Sequence, residues 1–139
     1  MTPPTFELQS AVITRLRADV VVTGFVAQRV YDLAPMRPDG TVTAAVPYIS
    51  MGPSDELSDD ADCIDGFEIT FQIDIYSVER GYHEVRKIAD AVRRALKLDL
   101  VLSANALVLL DHRITRYMRE PDNITSHAAM TFTAIVEQP

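Results

Sequence analysis

"FEITFQIDIYS", residues 67–77, alternates without a fault. Phe67, Ile69, Phe71, Ile73 and Ile75 fall on one side of an extended chain; Glu68, Thr70, Gln72, Asp74 and Tyr76 fall on the other. Successive side chains of a strand point to opposite faces, so the stretch predicts a strand with one buried and one wet face. The rest of the chain must cover that apolar side.

The next segment supplies a cover. "ERGYHEVRKIADAVRRALK" (79–97) carries Tyr82, Val85, Ile88, Ala89, Val92, Ala95 and Leu96 at helical spacing, with Arg86, Lys87, Asp90, Arg93, Arg94 and Lys97 opposite. Asp90 stands four residues from both Arg86 and Arg94, so the exposed face partly pairs itself, and cations crowd the last turn, where the helix dipole favours them. "ALVLLDHRITRYM" (106–118) reads as a strand whose uneven alternation suggests a bulge. "EPDN" (120–123) is a turn by composition. "SHAAMTFTAIVE" (126–137) alternates again, with Ala128, Met130, Phe132, Ala134 and Val136 inward and His127, Thr131 and Thr133 outward. The two segments predict a hairpin.

On the other side lie an amphipathic helix over about 5–18, with Phe6, Leu8, Val12, Ile13 and Leu16 as its apolar stripe and Thr5 as its cap, and a short turn or second helical piece ending at Tyr31. A Pro- and Gly-punctuated loop spans 34–46, and "VPYISMG" (46–52) is a short strand. The order α-β-β-α-β-β predicts an α+β fold, a four-stranded, mainly antiparallel sheet with the helices on one face. Glu68, Thr70, Gln72, Asp74, Thr131 and Thr133 then form a polar, Thr-rich second face, either solvated or lining a lumen.

The 139 residues suit a single domain, 1–139, with a net charge of −7 and a pI near 4.8. That acidity argues against wrapping nucleic acid, although not against a pore through which DNA passes. One cysteine cannot form an intrachain disulfide, the N-terminus lacks the pattern of a signal peptide, and no apolar run could span a bilayer. The sequon Asn123–Thr125 is accordingly expected to be unglycosylated.

The oddest stretch is "SDELSDDADCIDG" (54–66), with six acids in thirteen residues. Counted from Asp60 as an EF-hand, position 5 is Ile64, Gly66 comes one residue late and position 12 is Phe71, so calcium spacing fails. Acidic neighbours raise a thiol pKa, which makes Cys63 a poor nucleophile. His83, His112 and His127 lie on separate elements without a zinc motif, and the five glycines form no phosphate loop. Nothing calls for a metal or cofactor, and no enzyme is expected. The acidic stretch reads as a loop, mobile near 53–66 as is the loop near 34–46. It is either solvated or a contact with a neighbour. Asp55, Glu56, Asp59, Asp60, Asp62 and Asp65 are its candidate interface residues, and Arg86, Arg93 and Arg94 their candidate basic partners on the next subunit. Opposite charges on distinct surfaces suit head-to-tail association.

Taken together, "LQSAVITRLRAD", "RVYDLAP" (29–35), "VPYISMG", "IYSVERGYHEVRKIADAVRRALK" (75–97) and "HRITRYMREPDNITSHAAMTFTAIVE" (112–137) resemble, in order and spacing, the tail completion, or tail terminator, family of long-tailed phages and prophages. The resemblance implies a structural virion protein assembled in the host cytoplasm. It implies a self-associating ring, usually hexameric, that caps the head-proximal end of the tail tube. Such a ring stops tube growth, offers a surface to a head–tail connector or stopper protein and lets DNA pass without sequence-specific binding. No membrane is implied. The acidic loop departs from the family's pattern. A second reading is another neck component, a connector or stopper; a more distant one is a small-molecule-binding or enzymatic α+β domain using the polar sheet face.

Overall fold

The computed structural model describes residues 2–139. Helix α1 spans Pro4–Ala18 and α2 spans Val20–Val26, followed by β1 (Val30–Tyr31), β2 (Tyr48–Ser58), β3 (Asp65–Ser77), α3 (His83–Lys97), β4 (Ala106–Arg119) and β5 (Ser126–Gln138). The α+β class stands, but the sheet is five-stranded in the order β1-β2-β3-β5-β4 and mixed, because the two-residue β1 runs parallel to β2. The sequence offered no signal for β1: a strand of two residues is too short to show an alternation. The four long strands are antiparallel, as expected.

The acidic stretch also differs from the expected loop. Ser54–Ser58 is not loop but the distal half of β2, in register with β3 from Ser54↔Phe71 to Ser58↔Phe67. Asp, Glu and Ser have low strand propensity alone, but pairing with the strongly alternating β3 overrides it. Only Asp59–Ile64 connects the two strands, closed by the Asp59 N–H donating to Gly66 O (2.8 Å) and by an Ala61–Ile64 bridge. Gly66 is required here, since a Cβ would stand 2.2 Å from the Asp59 carbonyl oxygen.

All three helices pack on one face. Ile69, Phe71, Ile73 and Ile75 of β3, with Ala128, Met130, Phe132, Ala134 and Val136 of β5, meet Leu8, Val12 and Leu16 of α1 and Val85, Ile88, Val92 and Leu96 of α3 in a single core. Phe6, expected in the α1 stripe, is 65% exposed. Two residues at 100° each place it on the far side from Leu8, so the packed row is 8-12-16. The α1 cap is also different: Pro3 stands at the N-cap position without a side-chain bond, and Thr5 donates to Glu56 instead. Asp19 caps α2, accepting from the Val21 and Val22 N–H groups at 3.0 Å. The expected irregularity in β4 is two register shifts, at Leu107/Leu109 and His112/Ile114.

Loop segments are fastened to helices by charge. Glu7 accepts from the Ala104 and Asn105 backbone N–H groups (both 2.9 Å), the Ser103 hydroxyl and the Asn105 amide, which hold its carboxyl below the usual range. Arg15 donates to the Ala95, Leu98 and Asp99 carbonyls at 2.7–3.3 Å, satisfying the C-terminal end of α3 from α1.

Candidate assembly surfaces

The expected interface residues fall on one protrusion. Asp55 and Glu56 stand on β2, Asp59, Asp60 and Asp62 in the connection and Asp65 at the start of β3, all exposed. Apart from the Thr5–Glu56 bond and Asp60 accepting from Gly66 N–H at 3.2 Å, they have no in-chain partner among the described residues. Cys63 is exposed at the tip with φ +63°.

The expected basic partners are differently placed. Arg93 and Arg94 both bind Asp90 (3.0 and 2.8 Å), and the Arg86 guanidinium lies over Tyr117 (4.4 Å) and Tyr82 (5.4 Å). Each thus has a partner within its own chain. The self-pairing expected for the helix face is present, although Asp90 engages Arg93 rather than Arg86. Arg113 and Arg116 on β4, which the sequence did not single out, are exposed and have no carboxylate partner among the described residues.

The helix-free sheet face carries Glu68, Thr70, Gln72, Thr131 and Thr133, exposed or half-buried. Asp74 shares it but is only 6% exposed. The reason is a cluster at one end of the face. His127 on β5 lies opposite Tyr76 and reaches Asp74 through Nε2 (2.7 Å) and Glu120 through Nδ1 (2.8 Å). Gln72 donates to the same Asp74 oxygen at 2.7 Å. With a carboxylate at each nitrogen, both must carry a proton, so the geometry is that of an imidazolium. Burial alone would lower the His127 pKa; the Asp74 hydrogen bond and charge, with Glu120, outweigh it and hold the group above its ordinary value. The Tyr76 ring stacks on the imidazole at 4.4 Å, Tyr48 on Tyr76 at 5.0 Å, and Tyr31 lies at 6.2 Å from Tyr48. Burial, then Asp74, raises the Tyr76 hydroxyl pKa strongly. The alternation showed Asp74 and His127 as outward residues, but only the strand register brings them together.

No arrangement of reacting groups accompanies this. An open hollow between α1 and the 98–103 segment, about 640 Å³, has Glu7 and Arg15 in its wall, both already committed to backbone groups. No three His, Cys, Asp or Glu side chains among the described residues are placed to share a metal ion. No helix among the described residues is long and apolar enough to cross a membrane.

The protein's relatives account for a chain rich in surfaces and poor in reacting groups. A sequence model described as tail completion protein gp17 matches residues 10–137. The chain belongs to the tail completion protein gp17 family. Membership makes it a structural protein of phage tails rather than a member of an enzyme family. A solved structure, the virion of a native gene transfer agent particle, contains a chain 31% identical to this one with a TM-score of 0.86, the match covering 99% of each chain. No curated protein matches it. The family match embraces β2 through β5 and α3, and so covers the acidic protrusion, the β4 arginines and the His127 cluster alike.

Proposed function

We propose that this tail completion family member forms a ring, a hexamer by family resemblance, that caps the head-proximal end of a phage-type tail tube. It ends tube polymerisation and presents its other face to a head–tail connector or stopper protein. The observation that carries the reading is the end-to-end likeness to a chain of a gene transfer agent virion, within a family of tail completion proteins. The place of action is then the virion neck, reached after assembly in the host cytoplasm.

The surfaces agree with that role. Helices cover one side of the sheet and leave the other as a polar floor of Glu68, Thr70, Gln72, Thr131 and Thr133, which we assign to the lumen. Arg116 of β4, level with Ala129, shares this face only at its edge; the floor itself offers no lysine or arginine, neutralises few phosphates and lets DNA slide past. The 34–46 loop and the tip between Ser58 and Asp65 are the segments we expect to move in the free chain and to order against tube or neck proteins. Electron microscopy of the protein mixed with tail tubes, with its mass in solution, tests the reading: rings capping tube ends are expected. A strict monomer that binds no tube overturns it.

A further inference from the structure

The sheet has two open edges, and they carry opposite charge. Beyond Ser50, β2 has no neighbour on its outer side, because β1 pairs only Ile49 and Ser50. Residues 53–60 are exposed throughout. From Ser54 to Asp65 this edge and its tip hold six acids and no Lys or Arg. At the other end of the sheet, β4 is the terminal strand, with one acid, Asp111, and three arginines, Arg113, Arg116 and Arg119. Its regular run after the second register shift is Ile114–Arg119. Exposed apolar side chains accompany both edges: Leu57 and Ile64 on the hairpin, Val108, Leu109 and Ile114 on β4.

Resting on the ring reading above, we propose that a second copy of this chain adds to the sheet edge to edge. Ser54–Ser58 of β2 in one copy pairs antiparallel with Ile114–Arg119 of β4 in the next. An unpaired edge is a template for another chain, and evolution usually blunts it. Here Pro53, next to the β2 irregularity, and the shifts at Leu107/Leu109 and His112/Ile114 limit each edge to a short regular run. That restricts pairing to one place rather than abolishing it.

Strand direction fits. β2, β3, β5 and β4 are antiparallel in succession, so β2 and β4 run in opposite directions. A neighbour rotated about an axis near the strand direction therefore brings its β2 antiparallel to β4, and the alternation continues unbroken. The contact is head-to-tail, and it closes a ring where the strands tilt from the rotation axis enough to absorb the offset between neighbours.

Charge selects the register. Within one sheet Asp55 is level with Thr70, Thr133 and Asp111, whereas Ser50 is level with Asp74, Ala129 and Arg116. A neighbour at equal height sets Asp55 against Asp111, and like charges directly opposite are unfavourable. A neighbour displaced along the strands sets Asp55 and Glu56 against the arginine-bearing run instead. The arginines of α3 are engaged within the chain, so the free cations Arg113 and Arg116 are the matching partners. Backbone bonds and the apolar side chains supply the affinity; the charges set register and approach.

The test uses the full chain. Arg113→Glu with Arg116→Glu, or Asp55→Arg with Glu56→Arg, should weaken self-association by about tenfold or more at moderate salt, with circular dichroism unchanged. A chain carrying all four changes should assemble again. Independently, Asp55→Cys with Arg116→Cys, two positions on the same helix-free face of the sheet, in a Cys63→Ser background should give disulfide-linked multimers on oxidation. Rings that survive both charge reversals, a four-fold variant that stays apart, or cysteines that link only to another tail protein overturn the edge pairing and leave the ring reading standing. Wild-type protein that remains monomeric and caps no tube overturns the ring reading itself.

Discussion

His127 lies between two carboxylates with its ring stacked on Tyr76, and its side chain is only 12% exposed. A folded-state pKa above the ordinary value means that the fold favours the proton. The stabilisation is fully present below the unfolded pKa of about 6.5 and fades as pH rises through the raised folded value. His112 runs the other way: burial, then the Arg93 charge, lowers its pKa, so its contribution is lost as pH falls. The two trends oppose each other in the wild type, and single variants separate them. His127→Asn should cost about 1.5–3 kcal/mol near pH 6, the scale of hydrogen bonds to charged groups, and markedly less near pH 9. Urea unfolding at both pH values measures this; an equal loss at both would show that His127 is not held as an imidazolium. At this scale the sequence placed Asp74 correctly on the outward side and misjudged its exposure. A period of two reports which face a side chain takes, but not which neighbour a second strand brings beside it.

At the scale of elements, β3, α3 and β5 were legible because each carries a complete apolar period, and the β4–β5 hairpin came from the turn between them. The distal half of β2 was not, since Ser54–Ser58 has the composition of a loop and becomes a strand only through its pairing with β3. The joint between α1 and α3 was equally hidden. Arg15 lies off the apolar stripe of α1, where spacing marks no role for it, and it supplies the donors that the end of α3 lacks. Arg15→Ala should therefore destabilise the protein by about 1–3 kcal/mol, well beyond the few tenths typical of a surface change, and should speed amide exchange in residues 94–101 first. Arg15→Lys should recover only part, because an ammonium cannot span three carbonyls as a guanidinium fork does. If Arg15→Ala is neutral by urea unfolding, the fastening is not energetic.

For the whole molecule, charge and shape lead to separate expectations. With a net charge of −7 and a sheet face devoid of basic residues at its centre, the free chain should show no salt-dependent retention of duplex DNA in filter binding down to about 50 mM salt. Tight binding would argue against a lumen through which DNA slides. The acidic composition, the single cysteine, the alternation of β3 and β5 and the amphipathic α3 determined the fold class, the two faces of the sheet and the absence of any recognisable catalytic motif; together with the order of its segments they also pointed to the tail completion family. These are properties of local period and composition, which a chain carries before it folds. The tertiary structure decided the order β1-β2-β3-β5-β4, the burial of Asp74 beside His127, and the division of the arginines between α3, where they are spent on Asp90, Tyr82 and Tyr117, and the β4 edge, where Arg113 and Arg116 have no carboxylate partner among the described residues. Each depends on which residues far apart in sequence become neighbours, and strand register settles that only when the core closes.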